Sequence, residues 1–154
     1  MYSLVTIPTT TLRKPSELIR VFDAALAALA KDMNTVMVRE NGVGLAAPQI
    51  GKNIQLIVVK IEDSDAYKAY VNPKITFRSA KKIAIEEGCL SVPGTYGYVQ
   101  RAAKIRVSYH DTEGVKHNEK AIGMAAIVLQ HEIDHINGTL IIDHPLEITK
   151  KGKV

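Results

Sequence analysis

The stretch AIGMAAIVLQHEIDHING, residues 121–138, constrains the fold more than any other part of the chain. Ile122, Ala125, Ala126, Leu129, Ile133 and Ile136 recur at three- and four-residue steps, so they line one side of a helix. Met124, Ile127 and Val128 add apolar surface to the turns that lead into the histidines. A helix apolar around so much of its circumference belongs inside a domain. The spacing predicts a helix over 123–137, with Gly138 as the residue just past its end. The same helix carries His131, Glu132, Asp134 and His135. Such groups are costly on a buried surface unless they are hydrogen-bonded or ligated.

Residues four apart on a helix differ by about 40° around its axis, so His131 and His135 project together and can bind one ion. Glu132 lies beside them, within reach of a water on that ion, and Asp134 flanks His131 on the other side. This is the mechanical content of H-E-x-x-H: two metal ligands and a base for water.

Elsewhere the chain reads mostly as strand. A helical pattern over residues 16–41 carries Leu18, Phe22, Leu26, Leu29, Met33 and Met37, and Gly42 ends it. IQLIVVKI (54–61) is an apolar, β-branched strand. Further strands are predicted on either side of Asn72-Pro73, before a turn at Pro93-Gly94, and on both sides of DTEG (111–114), with TLIIDH (139–144) last. Helices and strands do not alternate as βαβ units. The pattern predicts an α+β fold, with antiparallel sheets packed around a central metal-binding helix and an N-terminal helix beside them. A length of 154 residues suits a single domain.

The histidine pair needs a third ligand. A zincin would take one downstream, where only His144 and Glu147 remain, beside a proline. Upstream stands EEGCLS with the single cysteine, Cys89. A lone cysteine is commonly just a small buried hydrophobe. Here Gly88 and two glutamates precede it, which marks a special turn, and one Cys with two His and an open fourth position is a catalytic geometry. GVGLAAPQIG (42–51) also fits G-x-G-x-x-A, but a dinucleotide loop follows a strand and opens a helix, whereas this one follows a helix and precedes a strand. Its small residues allow another backbone to approach closely, and the Gln49 amide can polarise a carbonyl oxygen.

Taken in order, GVGLAAPQ, EGCLS and HEIDH resemble the three motifs of the peptide deformylases, with matching spacing over nearly the whole chain. That resemblance implies a hydrolase that removes the N-formyl group from the initiator methionine of nascent polypeptides. It implies one divalent ion, Fe2+ in the cell with Zn2+, Ni2+ or Co2+ as substitutes, held by Cys89, His131 and His135. Glu132 would take a proton from the attacking water and pass one to the leaving amine. The Gln49 amide and the Leu90 backbone N–H would steady the oxyanion. The peptide would bind as an added strand along Val43, Gly44 and Gly88, its methionine among Val43, Ile85, Glu87, Met124, Ile127 and Val128. The implied protein is a cytoplasmic monomer, one catalytic domain over residues 1–154.

Two departures stand out. Tyr96 occupies a place where some bacterial members carry arginine, while Arg101 matches a buried arginine of the family. Many bacterial members also end in a helix that docks on the ribosome. Here only ten residues follow His144, a short tail from about 145, so any transient ribosome contact would be made without a long C-terminal helix. Composition narrows the classes further. No apolar run is long enough to span a membrane. The opening MYSLVTIPTT lacks the pattern of a secretory signal. A net charge of +4 is too small to mark a nucleic-acid binder. The runner-up enzyme is a small zincin-like metalloprotease. The alternative outside catalysis is a module with structural zinc, which needs a fourth protein ligand that no segment offers.

Overall fold

The computed structural model describes residues 2–62 and 64–150. Its two α-helices are α1 (Ala24–Arg39) and α2 (Met124–Ile136). A five-stranded sheet runs in the order β1 (Gly44–Ala46), β2 (Leu56–Lys60), β3 (Tyr67–Arg78), β8 (Lys104–His110), β9 (Lys116–Ile122). A three-stranded sheet holds β10 (Leu146–Lys150), β6 (Val92–Val99) and β5 (Glu86–Cys89), and β4 (Lys82–Ile83) pairs with β7 (Arg101–Ala102). Every strand pair is antiparallel. No described helix is long and apolar enough to cross a membrane.

The apolar pattern explains the layers. Alternation sends Ile57, Tyr70, Ile105, Val107 and Ala121 to one face of the large sheet, where they pack on Ala126, Leu129, Ile133 and Ile136 of α2. Leu56, Val58 and Val71 point to the opposite face, against Leu26, Ala30, Met33 and Met37 of α1. A third cluster joins Cys89, Val92 and Val99 of the small sheet to Leu12, Leu140 and Ile141. Buried leucine and isoleucine side chains each contribute roughly 1.5–3 kcal/mol, so α2 is held chiefly by packing. Its end is where the sequence places it: Asn137 caps the helix, and Gly138 follows at φ +77°.

Four local expectations change. The first helix starts at Ala24 rather than near residue 16, because the Asp23 side chain accepts from the Leu26 N–H and caps it. The stretch from residue 16 to there has no helix: Glu17 bridges Ile54, and the Asn72 side chain bonds both the N–H and the C=O of Ile19. Asn72-Pro73 is not a turn between strands. β3 runs through it, with Asn72 at φ +51° and a register shift that absorbs the missing proline N–H. The turn expected at Pro93-Gly94 falls earlier, since β6 already begins at Val92. TLIIDH is not a strand: Ile141–Asp143 form a 3-10 turn, and the last strand is β10 in the short tail, paired with β6.

Candidate metal centre

Three ligand atoms converge from two elements. Cys89 ends β5, and His131 and His135 sit one turn apart on α2. Their ligand atoms lie within 4.8 Å of one another. The Cys89 Sγ is 3.3 Å from His135 Nε2, and the two imidazoles meet edge-on with centroids 5.0 Å apart. Two imidazoles and a thiol suit Fe2+, Zn2+, Ni2+ or Co2+, and three protein ligands leave a position open for water or substrate. The donor set therefore fits a divalent ion.

Glu132 adjoins this cluster without being part of it. Its Oε1 lies 3.8 Å from His131 Nε2, and its buried Oε2 has no hydrogen-bond partner among the described residues. Gly44 explains how a buried carboxyl can face the cleft. A Cβ on Gly44 would come within 2.9 Å of Glu132 Cγ and 3.1 Å of Val128 Cγ1, so only glycine leaves Glu132 its place. Burial pushes the Glu132 carboxyl up to about 7, against the pull of the His131 and Arg101 charges. Burial also drives His135 well below its ordinary value, with the charges of His131 and Arg101 adding to the effect. For His131 burial acts downward too, but hydrogen bonds to Cys89 and Glu87 and the Glu132 charge outweigh it, holding the imidazole up to about 10.

Gln49 is fixed at both ends of its amide. Its Oε1 accepts from the Ala46 N–H at 2.9 Å, and its Nε2 donates to Ser91 Oγ at 3.2 Å while standing 3.9 Å from Cys89 Sγ. The donor end thus faces the ligand cluster. Leu90 follows Cys89 in the turn between β5 and β6. Ile127 and Val128 are buried, Ile85 is half-buried, and Val43 and Met124 are exposed at the rim.

The groups that orient the ligands differ from the sequence reading. Asp134 does not touch His131; it accepts from Arg101 Nη1 at 2.6 Å and pairs with His144 Nε2 at 2.8 Å. Glu87, expected beside the methionine, turns its carboxylate to the buried Arg101, with bonds of 2.9 and 3.0 Å, and to His131 Nδ1 at 3.1 Å. That last bond frees His131 Nε2 for a metal. Ser91 and His144 were not legible as participants, because each acts on a partner distant in sequence. The Tyr96 ring lies against Gly88, where a Cβ would meet it at 2.5 Å.

Comparison with known proteins agrees with this geometry. The sequence model of the polypeptide deformylase family matches residues 1–151. The chain is 42% identical to the peptide deformylase of Brucella suis over 92% of its own length and 82% of that protein's. It is 43% identical to the peptide deformylase of Desulfotalea psychrophila over 92% of this chain and 85% of that one. The crystal structure of the peptide deformylase from Thermotoga maritima superposes with a TM-score of 0.90 at 37% identity, covering 94% of this chain and 97% of that one. With a family match across nearly its whole length and the same fold, the chain belongs to the polypeptide deformylase family.

Proposed function

We propose that this chain hydrolyses the formyl amide of N-formyl-methionyl peptides, releasing formate, at a centre where Cys89, His131 and His135 hold one Fe2+, with Zn2+, Ni2+ or Co2+ as substitutes. When bound, the divalent cation supplies Lewis acidity and lowers the pKa of water at the site. All other steps belong to the chain's own side chains and backbone. Glu132 takes a proton from the attacking water and gives one to the amine as the C–N bond breaks. A carboxyl held near neutrality by burial is suited to both transfers. The Gln49 amide and the Leu90 N–H donate to the formyl oxygen as charge develops there, a role in which one donor is typically worth ~10²–10³ in rate.

The peptide lies between β1 and β5, each of which ends its sheet. Backbone groups of Val43, Gly44 and Gly88 pair with it as with an added strand. Its methionine packs among Val43, Ile85, Met124, Ile127 and Val128, with the stem of Glu87 at the pocket floor. The chain acts as one catalytic unit, a monomer working in the cytoplasm. The observation that carries this reading is the buried, unbonded Glu132 oxygen set between Gly44 and the ligand cluster.

The test is formate release by iron- or nickel-loaded protein, kept anaerobic, on formyl-Met-Ala-Ser and on its acetyl counterpart. Glycines at 42 and 44 let backbone approach the substrate closely and crowd the reacting carbon, so the acetyl peptide, with its extra methyl, should react at least ~100-fold more slowly in kcat/KM, about 2.7 kcal/mol of barrier. Equal rates would indicate a general amidohydrolase. Internal cleavage of unformylated peptide without formate would indicate a zincin-like protease.

A further inference from the structure

The outer face of the large sheet is covered by α1 over β1, β2 and the start of β3, where Leu56, Val58 and Val71 are buried, and by Phe22, which packs on His110 at the end of β8. Beyond that cover, register places Phe77, Arg106 and Lys120 side by side across β3, β8 and β9. Lys74, Lys104 and Lys116 lie on the same face around this row, and all five cations are exposed. No acidic residue of β3, β8 or β9 shares the face. Glu119, the one acid on β9, points to the opposite face, where it holds Lys68 and Tyr70. A chain whose net charge is only +4 thus gathers five positive charges on one flank.

Two features of this arrangement work against stability. Like charges directly across a strand pair repel, and Arg106 is directly across from Lys120. Lys104, and less strongly Arg106, hold the Lys120 ammonium below its ordinary value. Phe77 sits among these cations 46% exposed and belongs to no apolar cluster among the described residues. Neighbouring strands are about 4.8 Å apart and same-face residues about 6.8 Å apart along a strand, so the row and its flanking lysines form a platform about 10 Å wide.

We infer that this face, centred on Phe77, Arg106 and Lys120, binds single-stranded RNA: the cations pair with successive phosphates and a base stacks on the Phe77 ring. An aromatic ring on an open sheet face among cations is how single-stranded bases are received without sequence readout. A membrane would need deeper apolar insertion than Phe77 and Ile122 on a flat sheet can give. The face lies apart from Cys89, His131, His135 and Glu132, so the inference stands independently of the catalytic reading.

The experiment is fluorescence anisotropy with an end-labelled single-stranded RNA of roughly 12 nucleotides, within the usual site size for such binders. Measurements run at several salt concentrations between about 50 and 200 mM. Each neutralised phosphate contributes a slope of about −0.7 in log affinity against log salt for single strands. Joint Arg106→Glu and Lys120→Glu substitution should weaken binding at least ~10-fold and flatten the slope by about 1.4, two phosphates' worth. Phe77→Ala should weaken binding about 5- to 100-fold with the slope unchanged, as expected for loss of one stacked base. Lys14→Glu with Lys31→Glu, which makes the same charge change off this row of cations, should leave affinity within about twofold, since it removes none of the proposed phosphate contacts. Formate release from a soluble formyl tripeptide should be unaltered in all three variants, which shows that each is folded. The inference is overturned if the parent does not bind, if the Lys14/Lys31 pair weakens binding as much as the Arg106/Lys120 pair, or if Phe77→Ala has no effect. It is also overturned if Phe77→Ala abolishes binding to phosphatidylserine vesicles and not to RNA.

Discussion

Replacing Glu87 by glutamine preserves shape and removes one charge, so it isolates what that charge does. In the structure Glu87 Oε1 accepts from Arg101 Nη2 at 2.9 Å and from His131 Nδ1 at 3.1 Å, while Oε2 accepts from Arg101 Nε at 3.0 Å. Arg101 is only 4% exposed, and Asp134 would be its one remaining carboxylate. Deleting one partner of a buried ion pair costs about 3–5 kcal/mol. With Asp134 still in place, the expected loss is about 2–3 kcal/mol, or roughly 4–12 °C in Tm for a domain of this size. The amide can also turn its NH2 toward His131 Nδ1, which would disturb the tautomer. Loss of such a supporting bond typically weakens metal affinity 10- to 100-fold. Burial alone would raise the Glu87 carboxyl, but hydrogen bonds from His131 and Arg101 outweigh it and hold the group below its ordinary value. A depressed carboxylate stabilises the fold fully above its unfolded pKa of about 4.3, and the effect is lost as pH falls through the folded value. The stability gap between parent and Glu87→Gln should therefore be constant between about pH 6 and 5 and narrow below about 4.3; toward alkaline pH it narrows as well, as His131, which Glu87 helps to hold protonated, gives up its proton. Thermal unfolding across pH, with zinc-buffer competition at pH 7, measures both effects. A variant that melts with the parent and binds zinc as tightly, or a gap that widens as pH falls below about 5, would contradict these roles of the Glu87 charge.

Gly44→Ala would bring a Cβ to 2.9 Å from Glu132 Cγ, and the side chain would have to yield by about half an ångström. We expect kcat/KM to fall about 10- to 100-fold with metal content unchanged, since small misplacements of a reacting group are costly; matched kinetics and metal analysis check this. Cys89→Ala removes the only thiol and should weaken zinc binding more than ~100-fold, beyond the loss typical of a supporting residue, as read by chelator competition. The iron form of the parent should lose formate-releasing activity in air faster than the nickel form, because its ligand set and ion are both open to oxidation.

How much of this was legible depended on whether the deciding contacts were local. The α2 helix could be read because its apolar period, its histidine spacing and Gly138 all point the same way. The ligand set followed from chemistry, since the chain has one thiol and only one histidine pair at helical spacing. The start of α1 was misread because Leu18 and Phe22 continue the helical period by chance, while the Asp23 cap decides the boundary. Asn72-Pro73 looks like a turn in sequence, yet pairing with β2 and β8 on either side keeps β3 whole. The network of Glu87, Arg101, Asp134 and His144 spans four separate segments, so nothing in any one of them announces it. The basic face of the large sheet escaped for a similar reason. Total charge is modest, and only strand register shows that Lys74, Arg106 and Lys120 share one side.

In the proposed mechanism Glu132 carries the proton and does not hold the metal. The direct test is to load Glu132→Gln with nickel, measure bound metal per chain, and measure formate released from formyl-Met-Ala-Ser. One metal per chain is expected, as in the parent, with turnover reduced by at least ~10²–10⁴-fold, the usual contribution of a general acid–base group. A folded Glu132→Gln protein that has lost its metal, or one that releases formate at the parent's rate, would contradict it.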